Sequence, residues 1–109
     1  MTRLVPESRR PAEDRIQLRH PDPTKKMPRI ARDSYALAHK TALAVLPKKA
    51  PGITLKGFLD EMATRLPRVK GWDRSTSATW IAMAIKLDME ARGELKRVND
   101  KPPQRIVRT

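Results

Sequence analysis

Apolar residues recur at helical spacing in three stretches of the chain, and strand-like alternation follows the third. From Asp33 or Ser34 to Leu46 they fall at i, i+3, i+7, i+10 and i+11, the stripe of a half-buried helix, with one of the first two residues as N-cap. A second helix is predicted after Thr54, a suitable N-cap, and Pro67 ends it. Its apolar face is continuous from Leu55 at i, i+3, i+4, i+7 and i+11.

The third predicted helix runs from Ser75 to Arg92, and its apolar positions cover more than half of its circumference. We therefore expect it to be the central helix of the core. Gly93 fits the position where helices end in left-handed geometry. Because the chain has few aromatic residues, Trp72 and Trp80 are assigned to core packing rather than to base stacking.

After Gly93 the period changes toward two, in two runs on either side of Asn99-Asp100-Lys101-Pro102-Pro103. Turn formers between alternating runs predict a hairpin, and Ile53 is a candidate for a short additional strand. The predicted fold class is mainly α with a small β-hairpin (α+β). The element order indicates a winged helix-turn-helix over residues 33–109, with three helices plus a C-terminal wing.

Residues 1–32 differ from the rest, because five prolines interrupt any periodic pattern and apolar residues are few. Nine Lys or Arg against four Asp or Glu give this segment a net charge of +5. We expect a flexible, basic, proline-rich leader. It is either a basic arm that adds phosphate contacts or a disordered leader without such a role.

The net charge of +12 favours anionic partners, namely nucleic acid or an acidic protein surface. The absence of cysteine excludes disulfides and cysteine-ligated zinc, and fits a reducing compartment. There is no apolar run of the roughly 20 residues that span a bilayer, and no apolar core of a secretory signal. A cytoplasmic protein with no membrane partner is expected.

The sequence gives little support for catalysis, so the chain is not predicted to be an enzyme, and no catalytic residue, cofactor or metal is predicted. His20 lies in the leader and His39 near the edge of a helix face, while no Cys/His cluster has metal spacing. The adjacent Asp60 and Glu61 point about 100° apart on a helix and do not converge. Ser75-Thr76-Ser77 has no nearby histidine to activate a hydroxyl, and capping is the better interpretation.

Duplex DNA is the favoured partner. In a helix-turn-helix the second helix of the motif enters the major groove, and a wing contacts the backbone. The helix candidates are Arg74, Ser75, Thr76, Thr79 and Lys86, and the wing candidates are Lys96, Arg97, Lys101, Arg105 and Arg108. Because no Arg, Asn or Gln follows Ser75 on the first turn, base readout is expected to be thin and phosphates to dominate. The serine and threonines are equally well explained as caps and surface residues.

Three segments carry a resemblance: Leu43 to Thr54, the Gly71-Trp72 pair, and Lys86 to Gly93. Over roughly residues 33–109 the chain resembles small uncharacterised bacterial proteins with a winged-helix appearance. The resemblance implies the fold and carries no substrate, site or partner, and winged helices also serve as protein-docking modules.

The alternative function is therefore a protein-interaction or dimerisation module whose charge meets an acidic partner. Leu37 motivates it, because this residue lies almost opposite the apolar stripe of the first helix. Leu37 is either covered by the segment from Met27 to Ile30 or exposed.

Overall fold

Three α-helices and five short strands make up residues 14–109, the part of the chain that the computed structural model describes. Residues 1–13 of the predicted leader lie outside the described residues. The element order is β1 (Arg15–Gln17), β2 (Arg29–Ala31), α1 (Arg32–Val45), β3 (Ile53–Thr54), α2 (Leu55–Arg65), α3 (Ala78–Ala91), β4 (Leu95–Arg97) and β5 (Arg105–Arg108). The result is an α+β domain with two small antiparallel sheets, β1-β2 and β3-β5-β4.

The hairpin β1-β2 corrects the expectation that the whole of residues 1–32 is a flexible leader. Its strands pair Arg15 with Ala31 and Gln17 with Arg29, and Leu18 and Ile30 are buried in the main core. The prolines did not prevent pairing, because those within the described part lie in the connection between the strands, where their missing N–H groups cost no ladder bond. The folded part therefore begins well before residue 33.

The strand β2 leads directly into α1, and this explains why neither Asp33 nor Ser34 caps that helix. The N-cap is Ala31, which makes no side-chain capping bond, and Ser34 is buried within the helix. Leu37 is half-buried and packs against the core. A Cβ built on Gly71 would lie 3.9 Å from its Cδ1, so the loop before α3 passes close to this leucine.

The start of α2 is as predicted, since the Thr54 hydroxyl accepts a hydrogen bond from the Gly57 N–H at 3.0 Å. A short 3-10 turn, Leu66–Arg68, follows the helix. The buried faces of α2 and α3 then meet, with Phe58 and Met62 against a core that includes Ile81 and Ile85.

The end of α3 is also as predicted, whereas its start is later. Gly93 has a φ of +76°, and the Glu94 N–H reaches back to the Met89 carbonyl at 2.8 Å, which is a Schellman ending. The helix was predicted to begin at Ser75, but its N-cap is Ser77 and its first residue is Ala78. Of the two tryptophans, Trp72 is buried as expected, but Trp80 is 47% exposed and its assignment to the core is wrong.

The predicted C-terminal hairpin is present and gains the third strand. Leu95 pairs with Arg108 and Arg97 with Ile106, while Ile53 of β3 pairs with Ile106 from the other side. Leu95 and Ile106 are buried in the main core and join the hairpin to the helices. Val107 is also buried, but as the neighbour of Ile106 in β5 it points to the other face of the sheet.

Candidate nucleic-acid interface

The loop that leads into α3 holds three of the predicted contact residues. Arg74, Ser75 and Thr76 lie before the helix instead of on its first turn. The carboxylate of Asp73 accepts hydrogen bonds from the Ser75 N–H at 2.9 Å and from its hydroxyl at 2.6 Å. The Ser75 hydroxyl is thus engaged in a local turn, and the loop, not the helix, presents these side chains.

A shallow pocket lies at the N-terminus of α3, and we call it the N-terminal pocket. Arg68, Arg74, Thr76 and Ser77 line it, with the buried Trp72 among its walls. The first N–H groups of a helix point outward and attract negative charge. Two arginines beside such a terminus make a surface that suits a phosphate oxygen. Arg68 was missed in the sequence analysis, because it lies three residues after the end of α2 and only the fold places it beside α3, which begins ten residues later.

Lys86 is not where the sequence placed it. Its side chain is 2% exposed, and its ammonium group lies 2.8 Å from the Glu90 carboxylate. Glu90 also accepts from Arg97 Nε at 3.1 Å, so β4 covers this side of α3. Because Lys86 is enclosed by this contact, it cannot reach a ligand on the outer face of the helix.

The outer face of α3 is uncharged over its first half. Thr79 is exposed as predicted, and Trp80 and Met83 are exposed beside it. The helix contains a single lysine and no arginine, and that lysine is the buried Lys86. The positive charge near α3 therefore comes from the loop before it and the strand after it.

The five predicted cations of the C-terminal hairpin fall into two groups. Lys96 and Lys101 are exposed. The other three are more constrained. Arg97 contacts Glu90 but remains 53% exposed, the half-buried Arg105 donates to the Gly52 carbonyl at 3.2 Å, and Arg108 is half-buried in β5.

Asn99 organises the loop that carries Lys101. Its amide nitrogen donates to the carbonyls of Lys101 at 2.7 Å and Pro103 at 2.8 Å. Its amide oxygen accepts from the Arg105 N–H at 2.8 Å. A turn asparagine of this kind is visible in the sequence as part of the loop composition, but its role as the hub of the loop is not.

A buried carboxylate on another side of α3, away from Lys86, was not predicted. Asp88 is fully buried and accepts hydrogen bonds from the Arg19 N–H at 2.8 Å, the Tyr35 hydroxyl at 2.8 Å and Arg92 Nε at 2.9 Å. Burial, reinforced by the bond to Asp88, raises the pKa of the Tyr35 hydroxyl well above its usual range. Only the i, i+4 spacing of Asp88 and Arg92 could have indicated part of this cluster.

The cluster continues along α1 and ends near the beginning of β4. The rings of Tyr35 and His39 stack with centroids 5.6 Å apart, and His39 Nε2 lies 2.7 Å from a Glu94 carboxylate oxygen. These contacts join the first hairpin, α1 and α3 to one another. We interpret the cluster as structural, because its central carboxylate has no contact with solvent.

Residues 14–109 contain neither a candidate metal site nor a candidate membrane-spanning helix. No group of three or more His, Asp or Glu side chains there is arranged to hold a metal ion. No helix in the same range is long and apolar enough to cross a membrane.

Comparison with known proteins places residues 15–106 within a single family model, described as a family of unknown function (DUF6958). No curated protein and no solved structure matches the chain. The match includes the hairpin β1-β2, which the sequence prediction had excluded from the domain. Because the family model covers most of the chain, the chain belongs to the family of unknown function DUF6958.

Proposed function

We propose that this chain is a winged helix-turn-helix protein that binds duplex DNA, mainly through phosphates. The proposal is supported by the order of elements after β2: three helices, with α2 packed on α3, followed by a hairpin. It is also supported by the strand order β3-β5-β4, in which a short strand before α2 pairs with the last strand of the hairpin. In such a protein α3 faces the groove and the hairpin β4-β5 is the wing.

The observation that carries the proposal is the position of cations at both ends of α3. The N-terminal pocket contributes Arg68 and Arg74 at one end, and Arg97 contacts Glu90 near the other. The rise between Ala78 and Glu90 is roughly 18 Å, from 12 steps of about 1.5 Å. This span allows the two groups to contact phosphates on either side of a groove of about 12 Å.

The proposed readout differs from the sequence expectation in what touches the bases. With Lys86 buried and Ser75 engaged in a turn, Thr79 is the predicted helix residue that stays available on the exposed face. A threonine methyl can contact thymine, but it offers no bidentate pairing. We therefore propose that phosphates supply most of the affinity and that sequence preference is weak.

Salt-dependent binding to a labelled duplex tests this proposal. The variant removes three exposed cations, Arg74→Ala, Lys96→Ala and Lys101→Ala. Arg97 and Arg105 are left in place because they make contacts within the fold. Affinity should fall steeply with salt, with a slope of about −0.9 for each phosphate contact. The triple variant should bind more weakly and lose about 1 from the slope for each contact removed.

The matched control removes three exposed cations from α1 and the loop after it, Lys40→Ala, Lys48→Ala and Lys49→Ala. Both triple variants change the net charge from +12 to +9, since each loses three positive charges. General attraction to a polyanion is thereby equal in the two. Equal affinities and slopes for the two variants, or wild-type affinity that does not change with salt, would refute the proposed interface.

A further inference from the structure

The exposed face of α3 carries an apolar stripe that the nucleic-acid proposal does not use. Trp80 is 47% exposed and Met83 36% exposed. Half-buried Leu87 continues the row at the spacing i, i+3, i+7, which places all three residues on one side of the helix. We call these three residues the α3 stripe. Exposed tryptophan is informative, because this residue is enriched among those that dominate protein–protein binding energy.

We propose that the α3 stripe docks an amphipathic, acidic helix of a partner protein. A row at this spacing fits the anchors of a second helix laid along it, as in helix-in-groove recognition. The stripe itself holds no charge, while Arg68 and Arg74 lie beyond its first end and Arg97 lies beside its last turn. Acidic residues on both sides of the partner's apolar row would meet these cations.

The same charges disfavour a second copy of this chain as the occupant. Two α3 helices packed in antiparallel fashion would bring Arg74 of one copy toward Arg97 of the other, and each chain carries a net charge of +12. Like charges placed together at an interface cost free energy. An acidic partner removes that repulsion and replaces it with attraction. The inference does not depend on DNA binding. If DNA also binds as proposed, the two ligands compete for α3.

A synthetic peptide of about 18 residues, long enough for five helical turns, serves as the probe. It carries leucine at i, i+3 and i+7 with glutamate at most other positions. One control peptide has alanine for each leucine, and another has lysine for each glutamate. The acidic peptide with leucine should bind at least about tenfold more tightly than either control, measured by the anisotropy of a label on the peptide.

Two protein variants locate the binding surface. The double change Trp80→Ser and Met83→Ser should weaken the acidic peptide by about tenfold or more. Val98→Ser should leave it unchanged, since this residue is as exposed as Met83 but lies in the hairpin. Because all three side chains are exposed, the variants should keep the wild-type circular dichroism and unfolding midpoint. The fluorescence of Trp80 also reports binding. Because Trp72 is already buried, a blue shift of the emission on addition of the peptide indicates that Trp80 has become buried.

Three results would overturn the inference. The first is that the peptides with and without leucine bind equally well and that the double variant does not change their affinity. This result would show that charge alone drives the interaction. A double variant that loses duplex DNA but keeps the peptide would assign the stripe to the nucleic-acid interface. A wild-type dimer in sedimentation that becomes monomeric in the double variant would make a second copy the occupant.

Discussion

Replacing Asp88 tests how the first hairpin is held on the helices. Its carboxylate accepts three hydrogen bonds, from the Arg19 N–H, the Tyr35 hydroxyl and Arg92 Nε, all between 2.8 and 2.9 Å. In Asp88→Ala these donors lose their acceptor, and the charge of Arg92 loses its partner. Removing one member of a buried ion pair costs about 3–5 kcal/mol. That is a large share of the roughly 5–15 kcal/mol that holds a domain folded.

The milder change Asp88→Asn separates charge from shape. The asparagine oxygen still accepts, but its NH₂ group faces donors where the second carboxylate oxygen had been. We therefore expect Asp88→Asn to cost less than Asp88→Ala, about 1.5–3 kcal/mol for a hydrogen bond to a charged group. The control is Asp60→Ala, which removes an exposed i, i+4 contact with Lys56 and should cost far less than either Asp88 change, because solvent screens this pair.

Urea unfolding followed by circular dichroism measures all three free energies of unfolding. Amide hydrogen exchange adds a local readout, because the Arg19 N–H donates to the Asp88 side chain and should lose protection in both Asp88 variants. If Asp88→Ala costs no more than Asp60→Ala, or if Arg19 stays protected, the carboxylate is not what fastens the hairpin to α3.

Four further substitutions test other parts of the fold. Tyr35→Phe should lessen the loss of stability that the wild type shows above about pH 10. The pKa of the Tyr35 hydroxyl is raised in the folded state. The stability that this hydroxyl contributes is therefore fully present below its unfolded-state pKa and is lost as the pH rises toward its folded-state pKa. Urea midpoints from pH 8 to 11 measure this, and an identical alkaline decline in both proteins would count against it. Gly93→Ala, at a φ of +76° with nothing within 4 Å, should cost about 1 kcal/mol. Gly52→Ala, at +78° with a backbone oxygen of β5 2.5 Å from the new Cβ, should cost clearly more, and equal urea midpoints would contradict the predicted clash. Thr54→Ala should cost about 1 kcal/mol through loss of the N-cap bond, and thermal unfolding unchanged from wild type would show that the cap is dispensable.

The elements that the sequence predicted well are those whose signals are local. Thr54 caps α2 and Gly93 ends α3 because capping depends on a few neighbouring backbone groups. The alternation after Gly93 predicted two strands because successive residues of a strand point to opposite faces, and Leu95 and Ile106 are the positions that reach the core. In the first hairpin the prolines in the connection hid the same kind of signal, although Leu18 and Ile30 are as deeply buried as the rest of the core.

The errors on α3 have a different origin. A helical wheel arranges Lys86 and Trp80 around the axis but does not say which directions neighbouring elements cover. The strand β4 lies beside Lys86, and its Arg97 binds the same carboxylate, Glu90, that Lys86 binds. No described element buries Trp80 to the same extent. The long lysine was thus enclosed and the large aromatic left exposed, a result that depends on the tertiary arrangement.

Because Lys86 is buried and Trp80 is exposed, and not the reverse, α3 can recognise different partners. A helix with Lys86 outward and Trp80 inward would present a cation to phosphates from its own exposed face. The helix as folded presents Thr79, Trp80 and Met83, with cations confined to its two ends. Charge at the ends attracts any polyanion, nucleic acid or acidic protein, and raises its rate of encounter. Discrimination between those two partners then depends on the uncharged middle, where an apolar anchor can be buried and a phosphate cannot.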